Sequence, residues 1–143
     1  MSDDFLIDTN ILVYAYDSSE HKKREKSAKL VASIFKNEKK AHITNQIVAE
    51  LFSVLTNKIE KPIQIEDAEI IIDSLLISEN WIKIDYTSKS IRKAIKFVKR
   101  FSIPFWDALI AATMIENNIF TILTEDSSHF KKIPGLKVIN PLQ

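Results

Sequence analysis

The chain of 143 residues contains no cysteine and only one glycine, Gly135. The lack of cysteine excludes disulfides, thiolate zinc sites, iron–sulfur clusters and cysteine nucleophiles. A single glycine is too few for a phosphate-binding glycine-rich loop or for a dinucleotide-binding fingerprint. Kinases, P-loop NTPases and Rossmann dehydrogenases are therefore excluded, and any catalysis has to come from other residue types.

Histidine is scarce, and long hydrophobic runs are absent. No two of His21, His42 and His129 are four residues apart, which argues against a histidine-built zinc site. No apolar run approaches the roughly 18–20 residues that span a bilayer. The segment from Met1 to Asp4 is acidic, unlike the positive start of a secretory signal. We expect a cytoplasmic protein in which residues 1–143 form one domain.

Basic residues are balanced by acidic ones, with a net charge of +1, but they cluster along two predicted helices. One cluster comprises Lys22, Lys23, Arg24, Lys26 and Lys29, and the other comprises Lys89, Arg92, Lys93, Lys96, Lys99 and Arg100. Each cluster is either a solvated helix face or a surface that contacts phosphates. The sequence leaves both interpretations open.

Short apolar segments alternate with helical patterns along the chain. The pattern predicts strands at 5–7, 42–44, 81–84, 120–123 and 136–139. It predicts helices at 10–16, with Asn10 as N-cap, and at 21–38, 46–58, 66–78, 88–101 and 104–118. This alternation indicates an α/β fold with a mostly parallel, five-stranded sheet covered on both faces. Ligands of such sheets bind beyond the carboxyl ends of the strands.

Four acidic residues stand at positions that favour a site. Asp8 and Asp126 each follow a predicted strand, and Glu50 lies at the edge of the apolar arc of its helix. Asp107 belongs to a helix that is apolar nearly all round, where a buried carboxylate needs a partner. Each acid alone also has a structural explanation as a helix cap, a turn residue, a first-turn aspartate or a solvated side chain.

Taken together, the four carboxylates would meet near one crevice. Carboxylates within a few ångströms repel one another and stay ionised together only around cations. Because carboxylates supply only oxygen ligands, Mg²⁺ or Mn²⁺ is the matching cation. The pattern therefore favours metal-dependent hydrolysis of phosphoryl esters.

The segments that carry these acids resemble the motifs of PIN-domain nucleases, in the family's order and spacing. The segment from Ile7 to Ala15 (IDTNILVYA) is similar to the opening motif, and that from Ile47 to Leu51 (IVAEL) to the second. FWDALIAA at 105–112 is very similar to the third motif, and LTED at 123–126, followed by Phe130, to the fourth.

The resemblance implies a three-layer α/β/α sandwich and endoribonuclease activity on single-stranded RNA. It implies that Asp8, Glu50, Asp107 and Asp126 bind Mg²⁺ or Mn²⁺ and catalyse hydrolysis, with Asn10 and Thr124 orienting the cluster. Chains of this length resemble the toxins of VapBC toxin–antitoxin pairs. These are usually homodimers, held inactive by an antitoxin whose C-terminal segment occupies the groove.

Other functions stay open at this point. A haloacid-dehalogenase phosphatase also begins with a strand-ending aspartate, but it needs an acid two residues later, where this chain has Asn10. A housekeeping RNA-processing nuclease and a catalytically silent RNA- or protein-binding module are further alternatives. For the fourth acid, Glu125 competes with Asp126. If the strand stays extended through Thr124, then Thr124 and Asp126 share a face and Glu125 points away.

Overall fold

The computed structural model describes residues 4–143 of the chain. Residues 1–3, which belong to the acidic segment used above to predict a cytoplasmic location, lie outside the described residues. No helix in the described part of the chain combines the length and apolarity needed to cross a bilayer.

Five parallel strands form one sheet in the order β3-β2-β1-β4-β5. They are β1 (Leu6–Ile7), β2 (Ala41–Thr44), β3 (Trp81–Ile84), β4 (Thr121–Leu123) and β5 (Lys137–Ile139). Leu6 of β1 pairs with His42 on one side and with Ile122 on the other, so β1 is central. Both residues of β1 are fully buried, as expected for a strand covered on both faces.

Among residues 4–143, six helices cover the sheet, and the predicted three-layer α/β/α fold is confirmed. They are α1 (Thr9–Tyr16), α2 (His21–Phe35), α3 (Asn45–Asn57), α4 (Ile65–Ile77), α5 (Ser88–Phe101) and α6 (Phe105–Glu116). Helix α1 packs on α2 and α3, α3 packs on α4, and α5 packs on α6. The chain passes from β1 outward to β3 and then returns to β4, so right-handed crossovers place α1–α4 on one face and α5–α6 on the other.

The predicted N-cap of the first helix was wrong. Helix α1 begins at Thr9, and its N-cap is Asp8, whose backbone is extended (φ −75°, ψ 159°). The Asp8 side chain accepts a hydrogen bond from the backbone N–H of Thr9. Asn10 already lies inside the helix, and its amide bonds to residues beyond β4 instead.

Positions that often carry glycine are filled here by other residues. Asn37 follows α2, Ser102 ends α5 and Asn118 follows α6, each with a φ between 55° and 64°. Asparagine tolerates this left-handed conformation better than most residues do. Ser102 begins the short connection that turns the chain from α5 into α6.

The return of the chain from β3 to β4 creates the switch point of the sheet. Strands β1 and β4 are neighbours, although their connections leave in opposite directions. A crevice opens at the carboxyl ends of two such strands. Asp8 directly follows β1, and Thr124 directly follows β4, so both stand at this switch point.

Candidate active site

A cavity of about 350 Å³ lies at this switch point, and all four predicted acids line it. Asp8 comes from the end of β1, Glu50 from α3, Asp107 from the first turn of α6 and Asp126 from the segment after β4. The remaining lining residues are Thr9, Asn10, Val13, Tyr14, Val54 and Phe130. The fold thus brings together side chains from four separate parts of the sequence.

Asp8 is the buried member of the set, with 9% of its surface exposed. One carboxylate oxygen accepts from the Thr9 N–H at 2.8 Å, and the other accepts from the Thr124 hydroxyl at 2.9 Å. Burial, aided by the nearby charges of Asp107 and Glu50, raises the pKa of Asp8 to about 6, although both hydrogen bonds act to lower it. Asp8 therefore bears an electrostatic cost that a cation in the cavity would relieve.

Asn10 and Thr124 link the ends of the two central strands. The Asn10 amide nitrogen donates to the Thr124 hydroxyl at 3.1 Å, and the amide oxygen accepts from the backbone N–H of Glu125 at 3.2 Å. Thr124 in turn donates to Asp8. These contacts place both residues where they orient the Asp8 carboxylate.

Glu50 and Asp126 are exposed side chains at the rim. Glu50 accepts hydrogen bonds from Gln46 at 2.9 Å and from the Thr9 hydroxyl at 3.3 Å. Asp126 accepts from the Ser128 hydroxyl at 3.1 Å. Both carboxylates are therefore accessible to water and to a ligand that enters the cavity.

The expectation that Asp107 is buried was wrong. Residues 108–114 of α6 are all buried, but the Asp107 side chain is 29% exposed. The first turn of α6 projects past the core, so its side chains reach the cavity rather than the interior. Asp107 does have a partner, since its carboxylate lies 2.6 Å from Nδ1 of His129.

His129 is a residue of this site that sequence reasoning missed. Its Nδ1 lies 2.6 Å from one oxygen of Asp107 and 3.9 Å from one oxygen of Asp126, so the ring stands between the two carboxylates. The absence of a histidine pair four residues apart argues only against a zinc site and does not bear on a single histidine beside a carboxylate. The position three residues after Asp126 and directly before Phe130, in the last motif, was the available signal.

The side chains of Glu125 and Asp126 contact different residues. The Glu125 carboxylate accepts from the Tyr14 hydroxyl at 2.6 Å and pairs with Lys23 at 2.9 Å. Asp126 lines the cavity instead, and its backbone N–H donates to the Thr124 hydroxyl at 3.2 Å. The segment bends at Glu125, yet Asp126 remains on the side of Thr124.

The donor set suits a hard divalent cation in its chemistry, because the polar side chains among the cavity's lining residues offer carboxylate, amide and hydroxyl oxygens. The high pKa of Asp8 is a second sign of the fit. As the side chains stand, however, no three acidic or histidine side chains among residues 4–143 are arranged to hold a metal ion. His129 engages one oxygen of Asp107, while Gln46 and the Thr9 hydroxyl engage the two oxygens of Glu50.

Solved structures of other proteins share this fold. One is a chain of the VapBC2 complex from Rickettsia felis, a complex bound to a DNA fragment from its promoter. Its sequence is 25% identical to this chain, the match covers 95% of this chain and 97% of that chain, and the TM-score is 0.68. VapC20 of Mycobacterium tuberculosis, described as a sarcin–ricin loop cleaving toxin, is 14% identical in sequence. The match covers 90% of this chain and 94% of that chain, with a TM-score of 0.70. A chain of a toxin–antitoxin complex from Klebsiella pneumoniae is 16% identical in sequence. The match covers 97% of this chain and 98% of that chain, with a TM-score of 0.68.

A search of curated protein sequences found no significant match. The model of the PIN domain family matches residues 5–136, a range that includes all four acids and His129. The strand order, the carboxylate-lined cavity and this match agree. The chain belongs to the PIN domain family.

Proposed function

We propose that the chain is a metal-dependent endoribonuclease that hydrolyses phosphodiester bonds of single-stranded RNA, with residues 1–143 acting as one nuclease domain. One observation carries the proposal: Asp8, Glu50, Asp107 and Asp126 line a single cavity at the switch point of the sheet. A site of this kind has no nucleophile of its own, so water is the attacking group.

The four carboxylates would hold Mg²⁺ or Mn²⁺, with Asp8 and Asp107 as the main ligands. A divalent cation bound there supplies Lewis-acid chemistry, lowering the pKa of water and neutralising charge on the phosphoryl oxygens. Thr124 and the Thr9 N–H keep Asp8 in one orientation. Glu50 and Asp126, which are exposed at the rim, complete the ligand set or accept the proton of the attacking water.

His129 has a positioning role in this proposal. Its contact with Asp107 fixes that carboxylate at the mouth of the cavity and separates it from Asp126. Two negatively charged side chains facing one cavity repel each other, and a ring nitrogen between them reduces this repulsion.

We further propose that the chain is the toxin of a VapBC-type pair and that an antitoxin protein is its partner. The family membership and the similarity to a chain of a VapBC complex support this role. The discriminating observation is a short reading frame directly upstream whose product copurifies with the chain and inhibits it. A housekeeping nuclease would lack such a neighbour.

A homodimer is part of the same proposal. Helix α4 exposes Ile65, Ile70, Leu76 and Ile77 to solvent. Several exposed aliphatic side chains on one helix are costly in water unless another surface covers them. A second copy of the chain is the occupant that the resemblance to VapBC toxins implies.

A catalytically silent binding module is the second candidate. The observation that favours it is the pairing of Asp107 with His129, together with the lack of a ready three-ligand set among the described residues. Such a module would bind RNA or a protein without cleaving RNA.

Cleavage of a labelled single-stranded RNA in Mg²⁺ or Mn²⁺, compared with excess EDTA, tests the proposal. We expect cleavage with either cation and none in EDTA, because the carboxylates cannot activate water alone. RNA binding without cleavage under all conditions would support the silent module. Robust cleavage in EDTA would contradict the metal mechanism.

A further inference from the structure

A second cavity, of about 820 Å³, runs along helix α5. One wall carries five cationic side chains, those of Lys89, Arg92, Lys93, Lys96 and Arg100. Apart from the adjacent Arg92 and Lys93, they recur every three or four residues, which places them on one side of the helix along about 16 Å of its length. We call this feature the α5 groove. Lys99, which belongs to the same sequence cluster, does not line it.

The fold balances the cations of the α5 groove only in part. Among residues 4–143, none of the five forms an ion pair, whereas on α2 Lys23 pairs with Glu125 and Lys29 with Glu25. Glu116 is the one acidic residue lining the α5 groove within the described part of the chain. Hydrogen bonds from Ser90 and Thr87 lower the pKa of its carboxylate, and the nearby charges of Lys89 and Lys93 lower it as well. The groove therefore keeps a strong net positive charge that attracts a polyanion.

Aromatic rings lie among these cations. Phe97, Phe101 and Phe120 line the α5 groove, and Phe120 is 46% exposed. The Arg100 guanidinium lies 5.3 Å from the centre of the Phe101 ring. Proteins that bind single-stranded nucleic acids combine a cationic groove for the backbone with rings on which bases stack. An acidic peptide would use the cations but would gain nothing specific from an exposed flat ring.

The α5 groove is linked to the candidate active site through short segments of the chain. Helix α5 ends at Phe101 and α6, which carries Asp107 in its first turn, begins at Phe105, so only residues 101–104 separate Arg100 from the start of α6. On the opposite wall, Ile133 is three residues beyond Phe130, which lines the carboxylate cavity. A chain lying in the groove would thus be directed toward the four acids.

We propose that the α5 groove binds the sugar–phosphate backbone of a single-stranded nucleic acid, with bases stacking on its exposed phenylalanine, and leads that strand to the four carboxylates. That the strand is RNA rests on the proposed function. Of the two basic clusters, the phosphate-contacting interpretation therefore applies to α5, while α2 is largely engaged within the protein.

The test is fluorescence anisotropy of a labelled single-stranded RNA oligonucleotide over a series of salt concentrations, in EDTA so that no cleavage occurs. The double variant Arg92→Gln/Lys96→Gln removes two charges of the α5 groove. Lys22→Gln/Lys29→Gln is the matched control, with the same charge change on exposed positions of α2. The slope of log K against log salt should fall by roughly 1.4 in the groove variant, or about 0.7 per lost phosphate contact, and stay unchanged in the control.

Phe120→Ala tests the stacking part separately. Affinity should drop by about fivefold or more at every salt concentration, since stacking is worth roughly 1–3 kcal/mol per base and does not involve counterions. An unchanged affinity would remove base stacking from the proposal.

Two results would overturn the α5 groove as a nucleic-acid site. One is the same slope in the groove variant and the wild type. The other is binding of a poly-glutamate peptide that depends on Arg92 and Lys96 while RNA binding does not. Cleavage of the same RNA in Mg²⁺, measured in parallel, keeps the two proposals apart. A wild type that binds through the groove without cleaving contradicts the nuclease proposal alone, and cleavage with an unchanged slope contradicts the groove alone.

Discussion

Asp8 combines two roles that the sequence presented as alternatives. It caps helix α1 through the Thr9 N–H, and it lines the carboxylate cavity. The cap needs one carboxylate oxygen, and Thr124 holds the second. A residue required only as a cap would not need burial beside Asp107 and Glu50, whose charges raise its pKa.

The pH dependence of stability reports on Asp8. Its pKa rises from 3.8 to about 6 on folding, so its contribution is fully present below about pH 4 and is lost as the pH rises through about 6. In EDTA, the unfolding free energy of Asp8→Asn relative to the wild type should rise across this window by up to about 3 kcal/mol. Denaturant titrations at several pH values measure this difference. A difference that does not vary with pH would show that Asp8 is not destabilised by ionisation.

Asp126 and Glu125 are distinguished by their partners. Glu125 is tied to Tyr14 and Lys23, whereas Asp126 stands at the cavity beside His129. Asp126→Asn should therefore reduce metal affinity and cleavage strongly, and Glu125→Gln should affect both little. Calorimetric titration with Mn²⁺ and cleavage rates measure the two variants. A larger loss in Glu125→Gln would reverse the assignment of the fourth acid.

At the scale of elements, hydrophobic periodicity was sufficient to predict every strand and helix of the sheet layers. Strand β3 and helix α5 have the bounds predicted for them. The start of α1 was missed because a cap and a metal-site acid have the same sequence signature at the end of a strand. The short 3₁₀ turn at Phe130–Lys132 was also missed, since three residues carry no periodic signal.

The site was predictable in its residues but not in its contacts. The four acids were identified from strand ends, helix faces and the family resemblance, and the structure places them around one cavity. The burial of Asp107 was misjudged because α6 is apolar on all sides, a pattern that does not reveal where its first turn leaves the core. The role of His129 depends on a long-range approach to Asp107 that no local pattern encodes.

Helix α4 allows the proposed homodimer to be tested. Ile70 is 68% exposed and would be covered in a dimer, so Ile70→Lys would introduce a charge into an apolar interface. We expect its dimer dissociation constant to increase by about tenfold or more, measured by analytical ultracentrifugation. Ile139→Lys, on the exposed edge strand β5, is the matched control and should leave the dimer intact. Equal behaviour of the two variants would exclude α4 from the interface.

On the scale of the whole molecule, two features of opposite charge are linked by the hairpin formed by α5 and α6. The carboxylate cavity gathers negative charge at the switch point of the sheet, while the α5 groove presents positive charge along a helix. A polyanionic strand is attracted by the groove and repelled by the carboxylates until a cation neutralises them. The molecule as a whole therefore couples substrate binding to metal binding in the proposed mechanism.

The central claim is that the four-carboxylate cavity is a metal-dependent nuclease site, and Asp107→Asn tests it most directly. The substitution keeps the shape of a half-exposed side chain and removes the charge that holds the cation, so the fold should survive. With purified protein, single-stranded RNA and Mg²⁺ or Mn²⁺, we predict that the cleavage rate falls by several orders of magnitude, with a circular dichroism spectrum and melting temperature close to those of the wild type. A well-folded Asp107→Asn variant that cleaves RNA at nearly the wild-type rate would contradict the account.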